Sequence, residues 1–431
     1  MTKNTHLEPT RRGFITNLTP SRRGFITNYP NFQHWKQATD AKLLAAKPLN
    51  IYVHIPFCAQ QCSYCYYRTV TGSRKSEIDI YVEALCKEIE IATKKFRLNE
   101  RPVVSIYFGG GTPTLLDGTN LAKIIDTIRN NLNVIEGAEF TVEGEPVTLI
   151  QKKANILKDI GVNRISLGVQ SLYDDVIKLS NRQDTEKKVL KAIDFARNTG
   201  AIVNIDLMSG LAGETPKTWA YSVKRAIETE VESITVYKME LYANTQYYKD
   251  VRNKTIDLPS DEQELEFMQH AMEKFEQSEY EPWCFFTFTK KGKFVHVHAP
   301  SIWRGDDYYP FGASAFGRLG DWVFQSTNEV NKYVSIVEKG ELPISRGHNM
   351  TSLDKMIRDI VLGMKLIRLD LKMFKSRYGF KLSSFCEEVM QQLESDGFIT
   401  FNEEEVVLTK KGMLHGDFVG KSLSKPLMNM Y

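Results

Sequence analysis

Three thiols lie within one eight-residue stretch, Cys58-Ala-Gln-Gln-Cys62-Ser-Tyr-Cys65. Thiolates are the natural ligands of iron–sulfur clusters, and three of them can hold three corners of a four-iron cube while one iron stays open to another ligand. Metal sites that do chemistry keep such an open position, whereas structural zinc takes four protein ligands. His54 precedes the loop, but IYVHIPF has the pattern of a strand, and an extended segment does not readily fold back to cap the site. The spacing predicts a cluster rather than zinc. Cys86, Cys284 and Cys386 fall in helical or apolar contexts and read as small buried hydrophobes. Six cysteines in 431 residues are too few for a disulfide framework, so a reducing compartment, the cytoplasm, is expected.

The elements that must position this loop follow from apolar patterning. Short apolar runs at 51–55, 103–108, 138–142, 164–168, 202–207 and 233–237 alternate with segments of helical period near 77–95, 119–131, 148–159, 184–199 and 215–229. Repeated βα units around a parallel sheet are the expected architecture. Such sheets bind ligands at the carboxyl ends of their strands. The unusual residues fall there in succession: the cysteine loop, GGGTPT, EGEP, GVQS, DLMSG and YKMELYANT. One shared active face explains all six.

Outside these units, residues 280–324 hold 13 aromatics in 45 positions, which marks a core between sheet and helices or a binding wall. From about residue 352 the pattern is amphipathic helices followed by a hairpin, FITFNEEEVVLTKKG, a winged-helix-like shape. The net charge of +3 divides unevenly: residues 1–48 carry eight Lys/Arg and two Asp/Glu, or +6, leaving −3 for the rest. An acidic body of mixed surface charge argues against nucleic acid as a partner. No apolar run approaches membrane-spanning length, so no membrane partner is expected. The basic arm repeats itself, TRRGFITNLTP then SRRGFITNYPN, and no apolar stretch follows to make an export signal. It reads as a mobile or loosely docked extension.

The C-x3-C-x2-C loop with Tyr64 before its last cysteine, together with IYVHIPFC, YFGGGTPT, EGEP, RISLGVQS, NIDLMSG and ITVYKMEL, resembles the radical S-adenosylmethionine (SAM) superfamily. Within it, these phrases resemble the oxygen-independent coproporphyrinogen III oxidase (HemN-like) branch, over about residues 50 to 420. The resemblance implies an incomplete (β/α)6 TIM-type barrel over 49–240, an aromatic-rich extension at 241–340, a helical and winged domain at 341–431, and the arm at 1–48. It implies that Cys58, Cys62 and Cys65 hold a 4Fe-4S cluster, whose open iron chelates SAM and whose electron releases a 5′-deoxyadenosyl radical. SAM contacts are then expected from Tyr64, Gly109, Gly110, Gly111, Thr112, Glu143, Gln170, Arg182, Asp206 and Met208. The branch binds a second SAM, and Tyr52 matches a tyrosine between the two. A small-molecule substrate and a reductant such as flavodoxin or ferredoxin complete the expected partners.

One departure separates the chain from the oxidases, which carry another cysteine two positions after the last cluster ligand, where this chain has Tyr66-Tyr67. CSYCYYRTVTG, YKMELYANT and WRGDDYYPFGASAFG are more similar to the HemN-type radical methyltransferases and cyclopropanases, which implies methyl or methylene transfer from the second SAM to an sp2 carbon. Tyr66, Tyr67, Trp303 and Phe316 are the candidate substrate wall. Two other members of the branch stay open: an oxidase acting on porphyrin or haem, whose propionates Arg11, Arg12, Arg22 and Arg23 would attract, and a haem chaperone of the HemW type.

Overall fold

The computed structural model describes residues 25–36, 47–292 and 296–430. Six parallel strands form its centre: β1 (Leu49–Ile55), β2 (Pro102–Gly110), β3 (Asn133–Gly144), β4 (Arg164–Gln170), β5 (Ile202–Ser209) and β6 (Ser233–Lys238). Helices α1 (Lys75–Phe96), α2 (Gly118–Asn131), α3 (Gln151–Asp159), α4 (Asp174–Leu179), α5 (Glu186–Arg197) and α6 (Pro216–Glu228) link them. The expected βα repeat is therefore present, with β2 to β5 each running two residues into the polar motif beyond the apolar stretch. Glycine and glutamate at those ends break the apolar pattern without breaking the ladder.

Alternation of side chains along each strand sorts them by face. Ile51, Val53 and Ile55 of β1 are fully buried in the apolar core with Tyr81 and Leu85 of α1. The opposite face is polar and hydrogen-bonded across strands. Ser105 Oγ donates to Asn50 Oδ1 at 2.6 Å, Tyr107 Oη to Glu143 Oε1 at 2.6 Å, and Asn204 Nδ2 to Ser166 Oγ at 2.9 Å.

Beyond the six strands, the sheet continues on both sides. A hairpin, β7 (Tyr280–Cys284) and β8 (Thr287–Lys290), joins β6 antiparallel. On the other side β9 (Asp307–Phe311) lies parallel to β1, followed by antiparallel β10 (Phe316–Leu319), β11 (Trp322–Ser326) and β12 (Ile344–Asn349). The result is a twelve-strand curved sheet, an open (β/α)6 barrel with antiparallel extensions. The C-terminal hairpin, Ile399–Phe401 with Glu405–Leu408, takes a third strand from Arg368–Asp370. No helix among the described residues is long and apolar enough to cross a membrane.

Part of the basic arm is firmly placed, against the expectation of a loose extension. Ile26 N donates to Asp417 Oδ2 at 2.6 Å, the buried Arg358 guanidinium holds Asn28 Oδ1 and the Tyr29 carbonyl, and Lys36 exchanges two backbone hydrogen bonds with Gly347. Arg11, Arg12, Arg22 and Arg23, with the first copy of the repeat, lie outside the described residues.

Candidate functional site

The cysteine loop leaves β1 and is braced from two sides. Gly111 N donates to Ile55 O and Thr112 N to Phe57 O, both at 2.7 Å, so the GGGT turn after β2 clasps the start of the loop. Gly110 has φ +109°, and a Cβ there would lie 2.5 Å from the His54 ring; a Cβ on Gly111 would lie 2.6 Å from Phe57 O. Only glycine permits this approach. From the other side, Ser63 N donates to Ser180 O, Asn181 Nδ2 to Gln61 O and Gln183 N to Gln60 Oε1. Gly111 N is engaged in the clasp, and Gly110 N donates to Glu143 Oε2 at 3.2 Å.

All three thiols line a single cavity of about 320 Å³, shared by Tyr64, Gly110, Gly111, Glu143, Gln170, Arg182, Asp206 and Met208. Tyr52, Gly109 and Thr112 stand behind this wall. Tyr52 Oη meets His54 Nδ1 at 3.0 Å, and Thr112 Oγ1 donates to Cys58 Sγ at 3.5 Å. Burial pushes the thiol of Cys58 up to about 11 and that of Cys65 to about 12, and raises Cys62, so without a cationic ligand all three hold their protons. Such thiols are deprotonated by the metal they bind. Among the described residues no three His, Cys, Asp or Glu side chains converge on a single-ion site.

Arg182 is buried, not a surface charge. Its guanidinium reaches Asp184 Oδ2 at 2.7 Å, Gly168 O at 2.7 Å, Tyr64 Oη at 3.2 Å, Cys62 Sγ at 3.4 Å and Glu145 Oε1 at 3.5 Å. Burial alone would favour its neutral form, but Tyr64, Cys62 and the two carboxylates outweigh that and keep it charged. It thereby ties the cluster loop to the ends of β3 and β4. Deeper in, burial raises Glu143 to about 7 despite the Tyr107 hydrogen bond, and raises Asp206 to about 6 despite the Arg164 charge and the Asn204 amide. Asp206 sits within β5, so it caps no helix. Gln170 holds φ +66°, and its buried Oε1 has no protein partner.

The cavity also has an aromatic wall, and two of the expected wall residues belong to it. Tyr66 and Tyr67 line it, with ring centroids 4.3 Å apart, and Tyr242 lies 4.3 Å from Tyr66. Trp303 and Phe316 do not. Trp303 stacks on Trp283 at 5.7 Å, and Phe316 packs edge-on to Phe32 at 5.4 Å, so both serve packing. Their places are taken by Phe285 and Phe286 at the β7–β8 turn, Tyr237 at the end of β6, and Phe25 with Thr27 from the docked arm. Asp417 also reaches the cavity; it pairs with buried Lys365 at 2.7 Å, whose Nζ lies 3.7 Å from the Phe25 ring centroid. No local signal announced these residues, because each arrives through contacts distant in sequence. Cys86, Cys284 and Cys386 are buried away from the cavity, as expected.

A family model for the radical SAM superfamily matches residues 52–226. The heme chaperone HemW of Bacillus subtilis is 31% identical over 371 residues, covering 85% of this chain and 97% of that protein. The oxygen-independent coproporphyrinogen III oxidase of Escherichia coli is 28% identical over 386 residues, covering 85% and 83%. The solved structure of coproporphyrinogen III oxidase (HemN) from Escherichia coli, a radical SAM enzyme, superimposes with a TM-score of 0.81 at 25% identity over 94% of this chain and 97% of that one.

Proposed function

Because this chain belongs to the HemN-like branch of the radical SAM superfamily, a family that implies a 4Fe-4S cluster and SAM, we propose that it moves a methyl or methylene unit from a second SAM to an sp2 carbon of a small molecule. Cys58, Cys62 and Cys65 would hold the cluster, and Glu143, Gln170, Asp206 and Met208 would face the SAM molecules. When bound, these groups supply one electron and a 5′-deoxyadenosyl radical able to remove a hydrogen atom.

The observation that carries this reading is the shared cavity: thiols, carboxylates and aromatic rings line one space, with Tyr66-Tyr67 where the oxidase pattern has a cysteine. Carboxylates and aromatic faces suit sulfonium cations. Arg182 holds the loop and would stabilise a Cys62 thiolate.

A second reading, action on or binding of a haem or porphyrin, is favoured by the names of relatives that cover 85% of this chain. Anaerobic turnover with reductant and methyl-deuterated SAM separates the readings. Deuterium in 5′-deoxyadenosine together with S-adenosylhomocysteine is expected. 5′-Deoxyadenosine without either would point to direct oxidation of substrate, and haem binding without SAM turnover to a chaperone.

A further inference from the structure

Glu143 reaches the cavity from β3, and two donors of β2 hold its carboxylate. Tyr107 Oη donates to Oε1 at 2.6 Å and Gly110 N to Oε2 at 3.2 Å. In the parallel register Tyr107 pairs with Thr141, so Glu143 stands two residues further along β3 and the tyrosine reaches forward to it. Gly109 leaves the space for that reach. A Cβ there would lie 2.9 Å from Glu143 Oε2 and 3.0 Å from Tyr107 Cε1. Gly109, expected as a SAM contact, thus also makes room for this pair.

The Tyr107 ring is itself fixed. It stacks on Tyr52 of β1 at 6.2 Å with 24° between the planes, and on His298 at 5.0 Å with 25°. His298 is buried at the start of the helix His298–Trp303, and its Nδ1 lies 2.7 Å from Ser105 Oγ, which donates in turn to Asn50. A ring held by two neighbours aims its hydroxyl in one direction.

Burial raises Glu143, and the strongest influence opposing burial is the Tyr107 hydrogen bond. Asp206 on β5 raises it further, while the Gly110 amide and Arg164 on β4 lower it; Tyr52 on β1 and Tyr237 on β6 also face it. A donor aimed at a carboxylate stabilises the charged form, which is the form that attracts a sulfonium cation.

We infer that Tyr107 is the positioning residue of Glu143, holding its carboxylate ionised and turned towards the ligand of the cavity. The inference rests on the function proposed above only in placing SAM against Glu143.

The test uses anaerobic, cluster-loaded protein without reductant, so that no turnover is needed, and variants that retain cluster absorbance. Infrared titration of the ligand-free protein reads the carboxylic C=O stretch of Glu143, assigned by its loss in Glu143→Gln. The midpoint is expected near pH 7 in the parent and about one pH unit higher in Tyr107→Phe, which keeps the ring and removes the donor. SAM affinity, measured by calorimetric titration from about pH 6 to 9, is expected to follow: about fivefold weaker than the parent at about pH 7 and within about twofold of it at about pH 9. In the Glu143→Gln background, Tyr107→Phe is expected to leave the affinity profile unchanged. An unmoved midpoint, an affinity loss equal at every pH, or the same loss in the absence of Glu143 would overturn the inference, because packing alone produces those results. A failed deuterium-transfer assay with both shifts intact would instead count against methyl transfer alone.

Discussion

Arg182→Gln is the perturbation that most directly probes how the loop is held. The guanidinium touches Asp184, whose side chain is fully buried, and Glu145, whose side chain is 13% exposed. Glutamine keeps a donor but removes the charge, leaving both carboxylates in a low-dielectric space without a counter-ion. Breaking a buried pair in this way costs about 3–5 kcal/mol, or roughly 100- to 4000-fold in the folded-to-unfolded ratio at about 1.4 kcal/mol per decade. The double variant Arg182→Gln/Asp184→Asn removes one stranded charge with the cation and is expected to recover about half of the loss. Anaerobic urea titrations followed by cluster absorbance and by circular dichroism read both effects. Cluster release should come at lower urea than unfolding of the helices, because Arg182 also contacts Cys62 Sγ. A single variant within about 1 kcal/mol of the parent, or a double variant no better than the single one, would refute the reasoning.

Cys62→Ala is expected to abolish both the iron–sulfur absorbance and SAM cleavage after reconstitution; retention of either removes Cys62 from the ligand set. Asp417→Asn strands Lys365, which is 1% exposed, and releases Ile26 N; a loss of about 3 kcal/mol and faster limited proteolysis between Phe25 and Lys36 are expected. Glu88 accepts from Tyr333 Oη and Gly312 N, yet burial lifts it from 4.5 to about 7. A raised folded-state value means that its contribution is full below pH 4.5 and is lost as pH climbs to 7, by about 3 kcal/mol. Glu88→Gln should flatten that decline in urea midpoints measured between pH 5 and 8, and parallel profiles would disprove it.

Which parts of this molecule were legible in sequence follows from what local pattern encodes. Strands β1 to β6 and the longer helices between them were readable because apolar alternation and helical period are properties of short windows, whereas the six-residue α4 was too short to show a period. So was the shared active face, because polar motifs stand where each apolar run ends. The antiparallel extensions were not, since pairing β9 beside β1 joins residues about 257 positions apart, as in Asn50 with the Asp307 carbonyl. The aromatic segment shows the same limit. Its density was plain, but among its described residues only the turn aromatics Phe285 and Phe286 reach the cavity, because β8 pairs with β6 and carries that turn beside Tyr237.

The barrel's alternation also explains why the site is acidic. A strand that presents one apolar face to helices must present the other inward, and here the inward residues are Asn50, Ser105, Glu143, Ser166, Asn204 and Asp206 rather than the branched aliphatics that commonly fill a closed barrel. An open barrel does not close on itself around a packed apolar interior, so polar groups can satisfy one another there and reach the strand ends partly protonated, with Glu143 raised to about 7 and Asp206 to about 6. Near neutral pH these two carboxyls can trade charge with what binds above them. A cationic ligand would draw them into the ionised form and release protons, whereas an anionic one would have to hold them protonated. The polarity that spoils an apolar barrel core thus leaves two titratable carboxyls at the strand ends.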